Sequence, residues 1–212
     1  MDGHGFPAFM MRVRAAGVTD ASVLNAVEAV DRSKYLAKED RQHAWSDHAL
    51  PLPCGQATER LDDLVAMIAA LDVAPHHRVL EIGTGSGFAA AVLAQIAARV
   101  ISVDRYRTLL RAARERHVRD GFTNIEYSFR DGREGAEADA PIDRVLVTAA
   151  LPEPPRALIE HLAVDGVVVA PIGHGDGPVP IVRLQRVGVR YERSEIGRGW
   201  FLPAERGRAR AL

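Results

Sequence analysis

Apolar residues recur at helical spacing through much of the first third of the chain. In the segment 20–30, Val23, Leu24, Val27 and Val30 fall on one side of a helix, with Thr19 or Asp20 as its N-cap. A second helix is predicted over 61–71, where Leu64, Met67, Ile68 and Leu71 form the apolar face. Between them, residues 49–57 hold two prolines and a glycine, which predicts an extended loop.

The pattern changes after Pro75 to short apolar runs that alternate with amphipathic segments. Such alternation predicts right-handed βαβ units and a mostly parallel, doubly wound α/β sheet, the Rossmann-like class. Two alternating segments around Gly188 predict an antiparallel hairpin at the C-terminal end. The predicted strands are 78–82, 99–103, 125–129, 143–147, 167–170, 181–187 and 189–196, and the predicted helices are 88–98, 106–118 and 155–162.

The division of patterns predicts an N-terminal helical cap over 1–72 and a core over 73–212, packed as one compact unit. A length of 212 residues, with 47% hydrophobic and 26% charged residues, fits one globular domain. The single cysteine, Cys54, excludes an intrachain disulfide, and the N-terminal segment has charges inside its apolar part, unlike a signal peptide. We therefore expect a cytoplasmic protein without a membrane span.

Charge adds little to this picture. The 27 basic and 28 acidic residues give a formal charge of −1. The segment 182–212 is locally basic, with eight arginines and three glutamates. We interpret the segment as a solvated edge strand and a frayed terminus and expect no nucleic-acid partner. The eight histidines show no metal-binding spacing, so no metal site is predicted.

A glycine loop follows the first strand of the predicted sheet, in the segment VLEIGTGSGF. Its spacing, with Gly83, Gly85 and Gly87, departs from the dinucleotide fingerprint because Phe88 occupies the last glycine position, and no lysine follows as in a phosphate-binding loop. Glu81 precedes the loop and would repel a pyrophosphate. The loop therefore favours a cationic ligand, and a nicotinamide-dependent oxidoreductase becomes the weaker alternative.

Acidic residues end three successive strands. Asp104 lies 17 residues after Gly87, where an adenosine ligand presents its ribose hydroxyls, and Asp131 could accept a hydrogen bond from an exocyclic amine. Three acids, a glycine loop and no phosphate-binding cation suit S-adenosylmethionine, which is an adenosyl sulfonium without phosphate. We therefore predict that cofactor.

Several segments together resemble the protein-L-isoaspartate O-methyltransferases, a family of class I S-adenosylmethionine-dependent methyltransferases. The resemblance covers about residues 12–203. It is carried by DHALPLPCGQ (47–56), VLEIGTGSGFAAAVLAQ (79–95), FRDGREG (129–135), TAALPEPPRAL (148–158), VDGVVVAPIG (164–173) and FLP (201–203). It implies methylation of the α-carboxyl of isoaspartyl residues in damaged proteins and peptides. The cofactor-binding residues it implies are Gln56, Glu81, Gly83, Gly85, Gly87, Asp104, Arg105, Asp131, Gly132 and Thr148.

One segment departs from the family pattern G-Q-T-I-S-x-P. Here the chain has GQATERL, so Glu59 takes the place of the serine at the methyl-transfer site, unless a one-residue shift brings Thr58 there. Thr58 and Glu59 are therefore the catalytic candidates. A glutamate would face the acceptor carboxylate with a like charge, a repulsion of about 4 kcal/mol at about 4 Å and an effective dielectric near 20.

The chemistry implied by the resemblance needs no general base. An acceptor carboxylate is ionised at neutral pH, so the enzyme has to align the acceptor oxygen, the methyl carbon and the sulfur and to exclude water. A diverged enzyme acting on another small-molecule or peptide acceptor, with a hydroxyl or amine, would need a base, and Glu59, Asp47 and His48 are the candidates. A non-catalytic cofactor-binding protein is a further alternative.

Overall fold

A seven-stranded sheet forms the centre of the computed structural model, which describes residues 5–135, 140–174 and 177–209. The strand order is β5-β4-β3-β6-β7-β8-β9, and β1 and β2 form a separate two-stranded ribbon. The strands are β1 (Pro51–Leu52), β2 (Gln56–Ala57), β3 (Arg78–Ile82), β4 (Arg99–Asp104), β5 (Ile125–Phe129), β6 (Ile142–Val147), β7 (Leu162–Pro171), β8 (Val179–Val187) and β9 (Arg190–Gly199). The helices are α1 (Phe6–Ala15), α2 (Ala21–Ala29), α3 (Leu61–Ala70), α4 (Phe88–Ala94), α5 (Arg107–Arg119) and α6 (Arg156–Ile159).

The sheet is parallel from β5 to β7 and antiparallel from β7 to β9. Strands β4 and β5 lie on one side of β3 in the sheet, and the next strand, β6, lies on the other side. The strand order therefore reverses between β3 and β6, and a crevice forms beyond the carboxyl ends of these strands. The predicted doubly wound sheet with a C-terminal hairpin is confirmed.

Alternate residues of the central strands lie in two apolar layers, one on each face of the sheet. Val79 and Val100 belong to a large cluster that also contains Phe9, Val27 and Ile68 from the N-terminal helices. Leu80, Ile82, Ile101 and Val103 point to the opposite face, in a second cluster that includes Leu158 of α6. The N-terminal helices therefore share one core with the sheet. No helix in the described part of the chain has the length and apolarity to cross a bilayer.

Two helices are shorter than the sequence predicts. Helix α4 ends at Ala94 and not at residue 98, because the Asn124 side chain donates to the carbonyls of Ala94 (3.0 Å) and Ala97 (3.1 Å) and ends the helix. The predicted helix 155–162 is limited to α6, because Leu162 already pairs with Ile142 and begins β7. The Asp20 N-cap of α2 is confirmed, with its carboxylate 2.7 Å from the Ser22 N–H.

The glycine loop packs against α5 at its helical end. Gly87 has a φ of +87°, and a Cβ built on it would lie 2.9 Å from Ala113 Cβ and from His117 Nε2. His117 is fully buried, and its ring nitrogens lie 2.7 Å from the Gly87 carbonyl and 2.8 Å from the Tyr127 hydroxyl. Both the backbone conformation and the close approach therefore require glycine here.

Glu81 lies inside the sheet, on the face covered by the N-terminal helices. Its side chain is fully buried, and the Ser102 hydroxyl donates to one carboxyl oxygen, while the other oxygen has no hydrogen-bond partner among the described residues. Burial raises the pKa of Glu81 to about 8. Folding therefore takes up a proton at this residue at neutral pH.

Replacing Gly87 with alanine should destabilise the protein more than the same change at Gly121. Gly121 has a similar φ of +83° but no atom within 4 Å of its Cβ position, so it serves as the matched control for backbone strain. We expect Gly87→Ala to cost about 1–3 kcal/mol more in urea-induced unfolding, because it adds the collision with His117. Equal losses of unfolding free energy in the two variants would show that the protein relieves the collision with His117 at no cost.

Replacing Glu81 with glutamine should change how stability depends on pH. A carboxyl group whose pKa is raised in the folded state contributes stability that is present at acidic pH and is lost as the pH rises toward the folded pKa, here about 8. The unfolding free energy of the wild type, relative to that of Glu81→Gln, should fall by up to about 1.4 kcal/mol per pH unit between about pH 5 and 8. A constant difference across urea titrations in that range would contradict the raised pKa.

Candidate active site

A cavity of about 520 Å³ opens beyond the carboxyl ends of β3, β4, β5 and β6. This volume falls within the range of small-ligand sites in proteins. The loop that contains β1 and β2 forms one wall, and the segment after β9 forms another. Ten of the twelve residues predicted from the sequence line it, namely Gln56, Thr58, Glu59, Gly83, Gly85, Asp104, Arg105, Asp131, Gly132 and Thr148.

The remaining two predicted residues, Glu81 and Gly87, are absent from the cavity wall. Glu81 occupies a strand position whose side chain enters the layer between the sheet and the N-terminal helices, and Gly87 packs against α5. Glu81 therefore lies beneath the glycine loop, and Gly87 holds the helical end of that loop against α5. Two of the alternative bases, Asp47 and His48, also lie outside the cavity wall. The carboxylate of Asp47 pairs with Arg60 and accepts the Asp62 N–H.

The first half of the glycine loop forms the cavity floor. Gly83 and Gly85 have φ angles of +99° and +51°, and a Cβ on Gly83 would overlap the Thr148 hydroxyl. Thr148, just after β6, donates from that hydroxyl to the Gly83 carbonyl at 3.0 Å. The floor is therefore bare backbone, held against β6 at the point where the strand order reverses.

Asp104, at the end of β4, lies beside this floor. Its carboxylate accepts hydrogen bonds from the backbone N–H groups of Gly85 (3.2 Å) and Tyr106 (2.8 Å). Burial raises the pKa of Asp104 against the opposing effect of these donors. The side chain is thus fixed in orientation and can accept further hydrogen bonds from a ligand's hydroxyl groups.

Asp131, after β5, is held in a similar way. One carboxylate oxygen accepts the Arg133 N–H at 2.9 Å, and the other accepts the Gly207 N–H at 2.6 Å. Gly132 beside it packs directly on Ile82, where a Cβ would overlap the isoleucine side chain. The pairing with Gly207 joins residues 76 positions apart, and sequence reasoning missed it.

The C-terminal segment returns to the cavity after β9. Arg105 pairs with Glu205 and donates to the Gly207 carbonyl at 2.8 Å, and the Ala209 N–H donates to the Arg105 carbonyl at 3.0 Å. The guanidinium of Arg208 lies 5.6 Å from the centre of the Phe129 ring. Strand β9 is an exposed edge strand as predicted, but the expectation of a frayed terminus is wrong for residues 205–209, because these hydrogen bonds fix them.

Thr58 and Glu59 enter the cavity wall from the loop after β2, but their surroundings differ. The Thr58 hydroxyl accepts the Leu50 N–H at 3.0 Å and an N–H of Arg32 at 3.4 Å, so it holds the loop to the protein. Glu59 lies next to Thr148, and burial raises its pKa to about 7. The Glu59 carboxyl is held by the Thr148 hydroxyl and by its own backbone N–H.

Arg32 lies behind this wall and was missed by the sequence analysis, because an arginine in a polar turn has no distinguishing pattern. Its side chain is almost fully buried, and one N–H donates to the Ala44 carbonyl at 2.6 Å. Desolvation lowers its pKa to about 10, and the charge of Glu59 is the largest effect opposing this shift. Within the described ranges, no ion pair of Arg32 is found, so Glu59 is its main electrostatic counterpart.

Tyr106 was also missed, although it directly follows the predicted Arg105. The amide of Gln56 donates to the Tyr106 hydroxyl at 3.3 Å, so the β1–β2 ribbon closes over the end of β4. Trp200 and Arg133 line the cavity as well, and one N–H of Arg133 donates to the Ala204 carbonyl at 2.7 Å.

The donor and acceptor groups of the cavity fit S-adenosylmethionine. Acidic side chains surround a floor of bare glycine backbone, which suits hydroxyl, amine and sulfonium groups. The two arginines of the wall are engaged with Glu205 and the Ala204 carbonyl, and no lysine lines the cavity in the described chain. The four carboxyl groups of the described wall outnumber its two arginines, which disfavours a pyrophosphate. The described residues also contain no His, Cys, Asp and Glu cluster suited to a metal ion.

Comparison with known proteins agrees with this geometry. The family model described as protein-L-isoaspartate(D-aspartate) O-methyltransferase matches residues 7–206. The chain is 42% identical to a protein-L-isoaspartate O-methyltransferase of Xanthobacter autotrophicus, over 97% of this chain and 94% of that protein. It is 40% identical to protein-L-isoaspartate O-methyltransferase 2 of Rhodopseudomonas palustris, over 96% of this chain and 94% of that protein.

Solved structures share the fold. A protein-L-isoaspartate O-methyltransferase structure superposes with a TM-score of 0.83 at 21% identity, covering 94% of this chain and 65% of that chain. A Plasmodium falciparum protein described as a member of the same enzyme class, crystallised with S-adenosyl-L-homocysteine, superposes with a TM-score of 0.80 at 19% identity, covering 93% of this chain and 97% of that chain. On the match over nearly its whole length, this chain belongs to the protein-L-isoaspartate O-methyltransferase family.

Proposed function

We propose that this chain transfers a methyl group from S-adenosylmethionine to the α-carboxyl of L-isoaspartyl residues in damaged proteins and peptides. The observation that carries the proposal is a cavity with a glycine floor and fixed acids in a chain that belongs to this family. Methylation converts the carboxylate oxygen, a poor leaving group, into the methoxy group of an ester, which leaves more easily. The ester can then close to a succinimide and reopen as a normal aspartyl link.

The residues of the floor have distinct roles in this proposal. The Gly83 and Gly85 backbone lies against the cofactor, Asp104 accepts from the ribose hydroxyls, and Asp131 accepts from the adenine amine. Gln56 and Tyr106 cover the methionine end, and Thr148 fixes the loop by its bond to the Gly83 carbonyl. The bound cofactor supplies an electrophilic methyl group on a positively charged sulfur.

The chain's task in the reaction is alignment and the exclusion of water. The acceptor carboxylate is ionised at neutral pH, so no protein group has to remove a proton before one of its oxygens attacks the methyl carbon. An orientation that places the acceptor oxygen, the methyl carbon and the sulfur in line lowers the activation barrier, because the entropy cost of bringing acceptor and methyl donor together has already been met on binding. We propose that residues 1–72 form the cap that provides this cover.

A second candidate function rests on Glu59. A carboxyl group with a pKa of about 7 in the cavity wall is suited to remove a proton from a hydroxyl or amine acceptor. The alternative is therefore a methyltransferase of the same fold acting on another small-molecule or peptide acceptor.

The proposed activity is tested by incubating the protein with methyl-labelled S-adenosylmethionine and a pair of peptides that differ only in an isoaspartyl or a normal aspartyl link. We expect a labelled, base-labile methyl ester on the isoaspartyl peptide alone. Equal labelling of both peptides, or label on neither, would contradict the proposal, and transfer to a hydroxyl or amine acceptor would favour the second candidate.

Replacing Asp104 with asparagine should weaken cofactor binding, because an amide cannot accept from the backbone donors and the ligand hydroxyls as a carboxylate does. We expect the Kd for S-adenosylhomocysteine to rise about 10- to 100-fold, the value of a charged hydrogen bond of about 1.5–3 kcal/mol. Titration calorimetry measures it, with Asp165→Asn, an exposed position outside the cavity, as the control. An unchanged Kd in a folded Asp104→Asn protein would remove Asp104 from the site.

A further inference from the structure

The last turn of α5 contacts the end of the glycine loop that leads into α4. The guanidinium of Arg116 donates to the Ser86 carbonyl at 2.9 Å. The next residue of the helix, His117, has its Nε2 atom 2.7 Å from the Gly87 carbonyl oxygen. Two neighbouring side chains of one helix therefore bind two neighbouring carbonyl groups of the loop.

The partners of His117 determine which ring nitrogen carries the proton. A carbonyl oxygen can only accept a hydrogen bond, so Nε2 donates to the Gly87 carbonyl. The ring is fully buried, and burial lowers the pKa of His117, which favours the neutral imidazole. In that form Nδ1 is unprotonated and accepts from the Tyr127 hydroxyl at 2.8 Å. The two contacts together therefore select the Nε2–H tautomer.

Aromatic rings surround this imidazole. The Tyr127 ring is stacked on it at 5.8 Å between ring centres, and the Phe122 ring meets it edge-on at 5.7 Å. The Tyr35 ring, which belongs to the N-terminal cap, lies 5.7 Å from it. These rings restrict rotation of the imidazole, so its N–H stays directed at the Gly87 carbonyl.

The position of Gly87 is linked to the cavity floor through the turn itself. The Gly87 N–H donates to the Thr84 carbonyl at 2.8 Å, which closes the turn around Gly85. Gly85 lines the cavity, and its N–H donates to the Asp104 carboxylate at 3.2 Å. A shift of the Gly87 peptide would therefore move the floor and its contact with Asp104.

We propose that His117 and Arg116 are positioning residues of the cofactor site, whose N–H groups hold the glycine loop in the conformation that binds S-adenosylmethionine. Both lie outside the cavity wall, so they act through the carbonyls of Gly87 and Ser86. Without these bonds the loop adopts its binding conformation in only a fraction of the molecules, and the apparent affinity falls by that fraction. The proposal rests on the proposed function for the identity of the cofactor and not for that of the acceptor.

Titration calorimetry with S-adenosylhomocysteine tests the role of His117. His117→Leu removes both ring nitrogens, and we expect the Kd to rise about 3- to 10-fold, the value of one net hydrogen bond. His117→Gln restores an N–H donor on a side chain of similar reach and should recover most of the lost affinity. His161→Leu is the matched control, because that ring contacts the Ala157 carbonyl of α6 at 2.8 Å, outside the cavity wall, and its Kd should equal that of the wild type.

Arg116 supplies an independent variant, which covers the case in which the buried His117 cannot be replaced without loss of folding. Arg116→Met keeps the apolar stem and removes the donor to Ser86, so the Kd should again rise, whereas Arg111→Met, at an exposed position of the same helix, should leave it unchanged. In turnover, KM for S-adenosylmethionine should rise with the Kd, while kcat and KM for the isoaspartyl peptide at saturating cofactor stay at the wild-type values.

Nitrogen-15 NMR of the imidazole gives a readout that does not depend on affinity. We expect a protonated Nε2 and an unprotonated Nδ1 for His117, and the reverse tautomer would overturn the proposal, because Nε2 could not then donate to Gly87. Wild-type Kd values in both His117→Leu and Arg116→Met, or equal rises in the two controls, would also overturn it. Binding of S-adenosylhomocysteine with the expected differences, but without methylation of the isoaspartyl peptide, would contradict the proposed function alone.

Discussion

The turn between β3 and α4 leaves no space for a side chain at Gly83 or Gly87, and the rest of the site depends on that constraint. A Cβ on Gly83 would overlap the Thr148 hydroxyl, and one on Gly87 would collide with His117. These contacts hold the turn against β6 on one side and α5 on the other. The backbone N–H of Gly85 then reaches the Asp104 carboxylate at 3.2 Å, so the loop and the acid position each other.

Charge is arranged around this floor so that a cation without phosphate is favoured. Backbone N–H groups fix the carboxylates of Asp104 and Asp131, while Arg105 pairs with Glu205 and Arg133 donates to the Ala204 carbonyl. The C-terminal segment is part of the site, because Glu205 pairs with Arg105 and the Gly207 N–H holds Asp131 in place. Glu59 adds a carboxyl group whose pKa burial raises to about 7.

Much of this architecture was predictable from local patterns. The alternation of apolar runs gave the parallel strands, Gly188 marked the hairpin, and the spacing of Gly83, Gly85 and Asp104 located the cavity edge. These features follow from periodicity and backbone sterics, which act over a few residues. Glu81 shows where prediction from local patterns fails. Its position before the glycine loop suggested a ligand contact, but the alternation of side chains along β3 places its carboxyl group in the layer between the sheet and the N-terminal helices.

The features that could not be predicted depend on contacts between distant segments. The Gly207 N–H reaches Asp131, and Arg32 approaches Thr58 and Glu59 from a separate turn, so no short-range pattern marks either pair. The lengths of α4 and α6 were also set from outside, by the Asn124 side chain and by the pairing of Leu162 with Ile142. Tertiary contacts decide such details after the local pattern has chosen the element.

A calorimetric titration that compares S-adenosylhomocysteine with NAD⁺ shows whether this cavity holds a phosphate-free adenosyl cofactor on bare backbone. We expect a saturable one-to-one isotherm for S-adenosylhomocysteine and no heat of binding for NAD⁺ at the same concentrations. Binding of NAD⁺ without binding of S-adenosylhomocysteine would contradict it.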